Sequence, residues 1–194
     1  MTDGLDALPP HSDQNEAVVP FEAHNRKPTL PRIQPVFDKS FIDNISIEPH
    51  GKWKELKVHS YFKIGHRRFD VGQDIFVNNS DIPQGSNLSE KDLYKLWPAK
   101  IIEIRVDGLK GVFILVGWYY WPEGLPGGRQ NHHLINELIA SNHVDIIAAT
   151  TVATHAQIRS WQGRNGPEKL KGFFCVDYYD VVEKRVYSLV MSGA

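Results

Sequence analysis

The chain has 194 residues and a single cysteine, Cys175, so it builds no internal disulfide framework and no four-cysteine zinc site. A reducing compartment fits such a chain. Long apolar runs are missing too. The longest, Gly111 to Trp121, falls short of the roughly 20 residues that a bilayer-spanning helix requires. Residues 1–30 lack a basic start followed by an apolar stretch, so no secretory signal is visible. Charge is nearly balanced, 22 Lys and Arg against 23 Asp and Glu, which removes any global pull toward nucleic acid or an acidic membrane. There is no internal repeat and no βαβ series. These absences leave an intracellular, soluble chain whose 41% hydrophobic residues supply one domain's core.

Catalytic signatures are also scarce. Cys175 sits in the apolar run Phe173-Phe174-Cys175-Val176, the setting of a buried, inert thiol. Ser141-Asn142-His143 lacks a nucleophile elbow and an obvious third member. No glycine-rich phosphate loop occurs. The expectation is a protein that is not an enzyme, with no cofactor and no small-molecule substrate. His132 and His133 with His143 form no recognisable metal spacing, since no acidic or cysteine partner completes them, so no metal is expected.

What is present divides the chain. Six of the twelve prolines fall within the first 35 residues, among scattered acids and few large apolar side chains. Such a segment cannot bury enough surface to offset the entropy of ordering it, so residues 1–40 read as a disordered tail and 45–190 as the domain. From Lys52 onward aromatic and β-branched residues recur with a period of two, as strands require. Gly65-His66 reads as a turn, and residues 78–92 as an exposed polar loop. Two stronger strands, Ala99–Val106 and Gly111–Trp121, flank Asp107-Gly108-Leu109-Lys110. Asn136–Ala140 is the one short helical candidate. Many short strands with one or two short helices predict an all-β fold, a barrel or sandwich.

The central hairpin allows a register argument. A four-residue loop at 107–110 pairs Val106 with Gly111. Ile102, Ile104 and Val106 then oppose Leu115, Phe113 and Gly111 on an uncharged core face, while Glu103 and Arg105 stay partly solvated on the other. Further out, Ala99 opposes Trp118 and Trp97 opposes Tyr120. Three large aromatics, Trp97, Trp118 and Tyr120, thus crowd one end of the more polar face around small Ala99. Such a group has the ingredients of a methylammonium pocket, although aromatics in strands most often serve as packing. Lys52, Lys54, Lys57, Lys63, Arg67 and Arg68 face only Glu55 across 52–68, a local positive excess. It reads either as solvated edge charge or as a nucleosome or DNA contact.

Four blocks in order carry a family likeness. Trp118-Tyr119-Tyr120-Trp121-Pro122-Glu123 resembles the "W-Y-Y-x-P-E" signature of bromo-adjacent homology (BAH) domains. Asn136-Glu137-Leu138 and Ser141-Asn142-His143-Val144-Asp145 are similar to that family's "N-E-L … S-x-H-x-D" block. Asp70–Val77 resembles its "V-G-D-x-V-Y-V" strand, and Trp97–Ile104 its "P-Y-x-A-R-I-x-x-I" strand. The stretch after Trp121 is most similar to fungal and plant members of the type that continues into a PHD finger. The resemblance implies a distorted β-barrel and a nuclear chromatin role without catalysis. In the methyl-lysine-reading branch it implies a cage at Trp97, Trp118 and Tyr120. It places Glu123, His143 and Asp145 along a peptide groove. The implied partner is a trimethylated histone H3 tail, with the repressive Polycomb-type mark favoured, alongside other chromatin proteins. The alternative is a nucleosome-contacting or scaffolding module using Lys52, Lys54, Lys57, Arg67 and Arg68.

Overall fold

A computed structural model describes residues 39–79, 88–108, 111–161 and 172–188. The expected tail before residue 39 and most of the 78–92 loop lie outside the described residues. The fold is mostly β. Thirteen strands are described: β1 (Ser46–Ile47), β2 (Gly51–Lys52), β3 (Lys57–His59), β4 (Tyr61–Ile64), β5 (Arg67–Asp70), β6 (Asp74–Val77), β7 (Trp97–Val106), β8 (Val112–Tyr120), β9 (Glu137–Ala148), β10 (Val152–Ala156), β11 (Ile158–Ser160), β12 (Phe173–Asp180) and β13 (Arg185–Ser188). Two short helices, α1 (Lys39–Asp43) and α2 (Glu90–Leu93), accompany them. Nine strands form one distorted sheet in the order β10-β6-β7-β8-β9-β12-β11, with β3 added to β7 and β13 to β12. The described path is not closed into a ring. The outer edge of β7 is shared: β6 pairs with Trp97–Lys100 and β3 with Ile104–Val106.

The folded region reaches upstream of residue 45, because α1 buries Ile42 against Trp53. The Gly65-His66 turn joins β4 to β5 as expected, Ile64 pairing with Arg67 and Gly65 taking φ 58° at the first central position of a tight hairpin. Asn136–Ala140 is not helical. Glu137 onward belongs to the twelve-residue strand β9, held by β8 on one side and β12 on the other. Local helix propensity gives way there to pairing with two neighbours.

The hairpin register needs one correction. Val106 pairs with Val112 rather than Gly111, followed by Arg105↔Phe113, Ile104↔Ile114 and Glu103↔Leu115. A bulge at Ile102 then absorbs one residue, and Ile101↔Val116, Lys100↔Gly117 and Ala99↔Trp118 follow. The outer half therefore has the expected register and the turn half is displaced by one. Asp107 accounts for the turn: its Oδ1 accepts the Gly111 N–H at 2.5 Å and its N–H donates to Gly111 O at 3.0 Å, drawing Gly111 into the loop.

The displacement re-sorts the faces. Ile101, Ile104, Ile114 and Val116 belong to the largest buried cluster, while Leu115, flanked by Ile102 and Phe113, packs with Trp53 on the opposite side. Both faces of the hairpin are core. Arg105, expected to be partly solvated, is 6% exposed: its Nη1 donates to Trp53 O at 3.0 Å and Leu56 O at 3.2 Å, and its guanidinium lies over the Trp53 ring at 5.1 Å. Glu103 lies against Arg105 at 2.5 Å, so the buried charge is paired.

Candidate functional site

Strand alternation splits the Trp118–Trp121 run between two faces. Tyr119 and Trp121 turn into a secondary core with Leu96, Leu138 and Cys175. There Trp121 Nε1 donates to Leu96 O at 3.0 Å, and the Tyr119 hydroxyl donates to Asp74 at 2.9 Å. Burial, with Asp74 nearby, pushes the Tyr119 phenol up and keeps it a donor. Burial likewise pushes up the pKa of the Cys175 thiol, as an inert core cysteine requires.

Trp118 and Tyr120 face the main core, with Trp97 packed against it. Trp97 and Trp118 meet edge to face, centroids 6.2 Å apart at 84°. Fully buried Ala99 lies directly across from Trp118. Tyr120 packs on Tyr179 at 5.5 Å, and its hydroxyl shares a hydrogen bond with His143 Nδ1 at 2.8 Å. The three aromatics share one face of the sheet, but it is the main core face rather than a more polar one outside it: Trp118 is 1% exposed and Tyr120 5%. The indole Nε1 atoms of Trp97 and Trp118 are buried without a hydrogen-bond partner among the described residues.

A second bulge shapes this end of the sheet. Gly117↔Val144 is followed by Tyr119↔Ala140, so Trp118 is opposed by the three residues Ser141, Asn142 and His143. Ser141 Oγ donates to Trp118 O at 2.7 Å and accepts the His143 N–H at 3.2 Å. Asn142 Oδ1 accepts the Val181 N–H at 2.9 Å. All three are buried, and together they fix the imidazole beside Tyr120. Ser141, Asn142 and Tyr179 were not legible as site residues, because the bulge and the β12 contact involve strands distant in sequence. Asp145 pairs with Val116 on β8 and caps the Ile146 N–H at 2.7 Å.

Glu123 sits in the helical turn Pro122–Gly124 and is held by Arg129. Burial raises its pKa, but the Arg129 hydrogen bond, a backbone hydrogen bond and nearby positive charge outweigh that and leave it below the ordinary glutamate value. The basic residues do not act alike. Lys52, Lys54 and Lys57 are exposed around the helical turn Trp53–Glu55 and β3. Arg67 instead donates to Ala153 O at 2.9 Å, and Arg68 is bound by Asp70 at 2.5 Å and lies over the Tyr61 ring at 4.0 Å. His143 stands apart from the two other histidines. His132 and His133 gather instead with Asp177 of β12, a partner that sequence spacing does not reveal.

No protein-family model matches the chain. The fold is that of BAH domains: the solved structure of the yeast Rsc2 BAH domain matches with a TM-score of 0.52 at 17% identity, covering 68% of this chain and 54% of that one. The chain is also similar to the chromatin remodeling protein EBS of Arabidopsis thaliana, 30% identical over 81 residues, or 42% of this chain and 33% of that protein. The chain thus spans about a third of the curated relative and about half of the solved structure's chain.

Proposed function

We propose that this chain is a nuclear chromatin module that reads a trimethylated lysine on a histone H3 tail, without catalysis, and serves transcriptional repression. The observation that carries the reading is the edge-to-face pair of Trp97 and Trp118 with Tyr120 on the same face. A trimethylammonium keeps its charge but has no N–H to donate, so aromatic faces attract it where hydrogen-bonding groups cannot. Glu123, His143 and Asp145 supply the peptide contacts in this reading. The likeness to a chromatin remodeling protein supports the setting, and the Polycomb-type lysine is the favoured mark.

A modified-histone peptide array followed by calorimetry tests this. The trimethylated peptide should bind at least about tenfold more tightly than the unmodified one, from ring contacts worth roughly 0.5–2 kcal/mol each. Trp97→Ala, at the least buried ring, should erase that preference. Equal binding of methylated and unmodified peptides overturns the reading. Exposed Lys52, Lys54 and Lys57 favour the second reading, a nucleosomal DNA contact, which predicts steep salt dependence on nucleosomes.

A further inference from the structure

We propose that His132, His133 and Asp177 form a binding site for a divalent transition-metal ion of the zinc type, separate from the aromatic trio. One ligand atom from each residue lies within 4.8 Å of the others. The two imidazoles come from the segment leading into β9 and the carboxylate from the middle of β12, so strand pairing assembles a set that is dispersed in sequence.

Asp177 supplies the independent observation. It is 7% exposed, yet among the described residues its carboxylate accepts no hydrogen bond and meets no lysine or arginine at ion-pair distance. Its oxygens keep their lone pairs free, so a cation between them and the imidazoles meets an uncommitted ligand. Glu137 stands beside it. It lies two residues before Ile139, the β9 partner of Asp177, and so shares its face; it too is buried, with Oε2 committed to the Leu134 N–H at 2.8 Å. A dication bound there faces both carboxylates, with Arg129 the nearby positive charge.

The donor chemistry selects the ion. Two nitrogens and one oxygen, with His132 exposed to solvent, match a zinc-type site of three protein ligands and an open position. Calcium and magnesium prefer all-oxygen shells. Loading exchanges one bond: a neutral imidazole has a single free lone pair, and His133 Nδ1 spends it on the Gln130 N–H at 2.9 Å. Gln130 is exposed, so water takes up the released N–H, and the turn stays closed by His133 N–H to Gln130 O at 3.0 Å.

The test is calorimetric titration of the full chain with Zn2+ against a competing chelator, with Co2+ absorption as a second readout of coordination. One equivalent should bind. His132→Ala and Asp177→Asn should each weaken binding by at least about tenfold, the scale on which coordination losses are felt. His66→Ala, at the exposed β4–β5 turn, should leave it unchanged. Circular dichroism checks folding; if Asp177→Asn unfolds, the exposed His132 decides alone. Absence of stoichiometric uptake, or uptake that survives His132→Ala combined with His133→Ala, overturns the site.

Discussion

The two ends of the β7–β8 hairpin are built from the same pair of strands and solve opposite problems. At the turn end, Arg105 is buried over Trp53 and spends its guanidinium on two backbone carbonyls and Glu103. At the far end, beyond the bulge at Ile102, the same strands hold Trp97 against Trp118, and their buried indole N–H groups have no partner among the described residues. The turn end pairs its buried charge and is an anchor, although the Trp53 indole N–H there also has no partner among the described residues. The other end pairs no charge of this kind and gathers rings instead, Trp97 against Trp118 with Tyr120 on the same face.

Breaking each end should give different signatures. Trp118→Ala should be the most damaging single change, costing about 3–5 kcal/mol in chemical denaturation, because the ring is fully buried in the main core. Methyl discrimination in this variant is therefore read together with stability, whereas Trp97→Ala separates the two. Loss of stability below about 1 kcal/mol would show that the Trp118 pocket collapses around the gap.

Arg105→Met should cost roughly 1.5–3 kcal/mol by leaving Trp53 O and Leu56 O without their charged donor. Peptide affinity should stay unchanged. A tenfold affinity loss here would couple the two ends and end the distinction between anchor and site.

Tyr120→Phe keeps the ring and removes its hydrogen bond to His143, so stability should fall by about 1 kcal/mol with methyl discrimination retained. If calorimetry shows discrimination lost instead, recognition runs through the Tyr120–His143 pair rather than through ring faces.

The smallest effect should come from Glu123→Gln. The folded-state pKa of Glu123 lies below its ordinary value near 4.5, so the Arg129 pair contributes stability in full above that pH and loses it as pH falls through the lower folded value. Substitution should remove less than about 1 kcal/mol at neutral pH and flatten the acid limb of the stability profile. A flat native profile between neutrality and pH 3 would show that the pair contributes nothing.

Much of this was legible in the residues themselves. Period-two patterning from Lys52, the Gly65-His66 turn and the alternation of Trp118 and Tyr120 against Tyr119 and Trp121 follow from side-chain geometry along one strand. The pairing of Ala99 with Trp118 was legible too, for a subtler reason: the turn error and the Ile102 bulge cancel. Register counted from a loop is only as good as the loop, and Asp107 drew in one residue more than its length implied.

The chain by itself determined an all-β architecture and which aromatics meet across β7 and β8, because both are set by local alternation and nearest-strand pairing. Tertiary structure decided what those positions became. Burial of both hairpin faces turned Arg105 from a solvated charge into a core anchor. Pairing of β9 with both β8 and β12 overrode the helical reading of Asn136–Ala140, bulged Ser141 to His143 toward Tyr120 and brought Asp177 to His132 and His133. Each of these depends on strands far apart in sequence, where spacing carries no information and only the packed sheet brings the groups together.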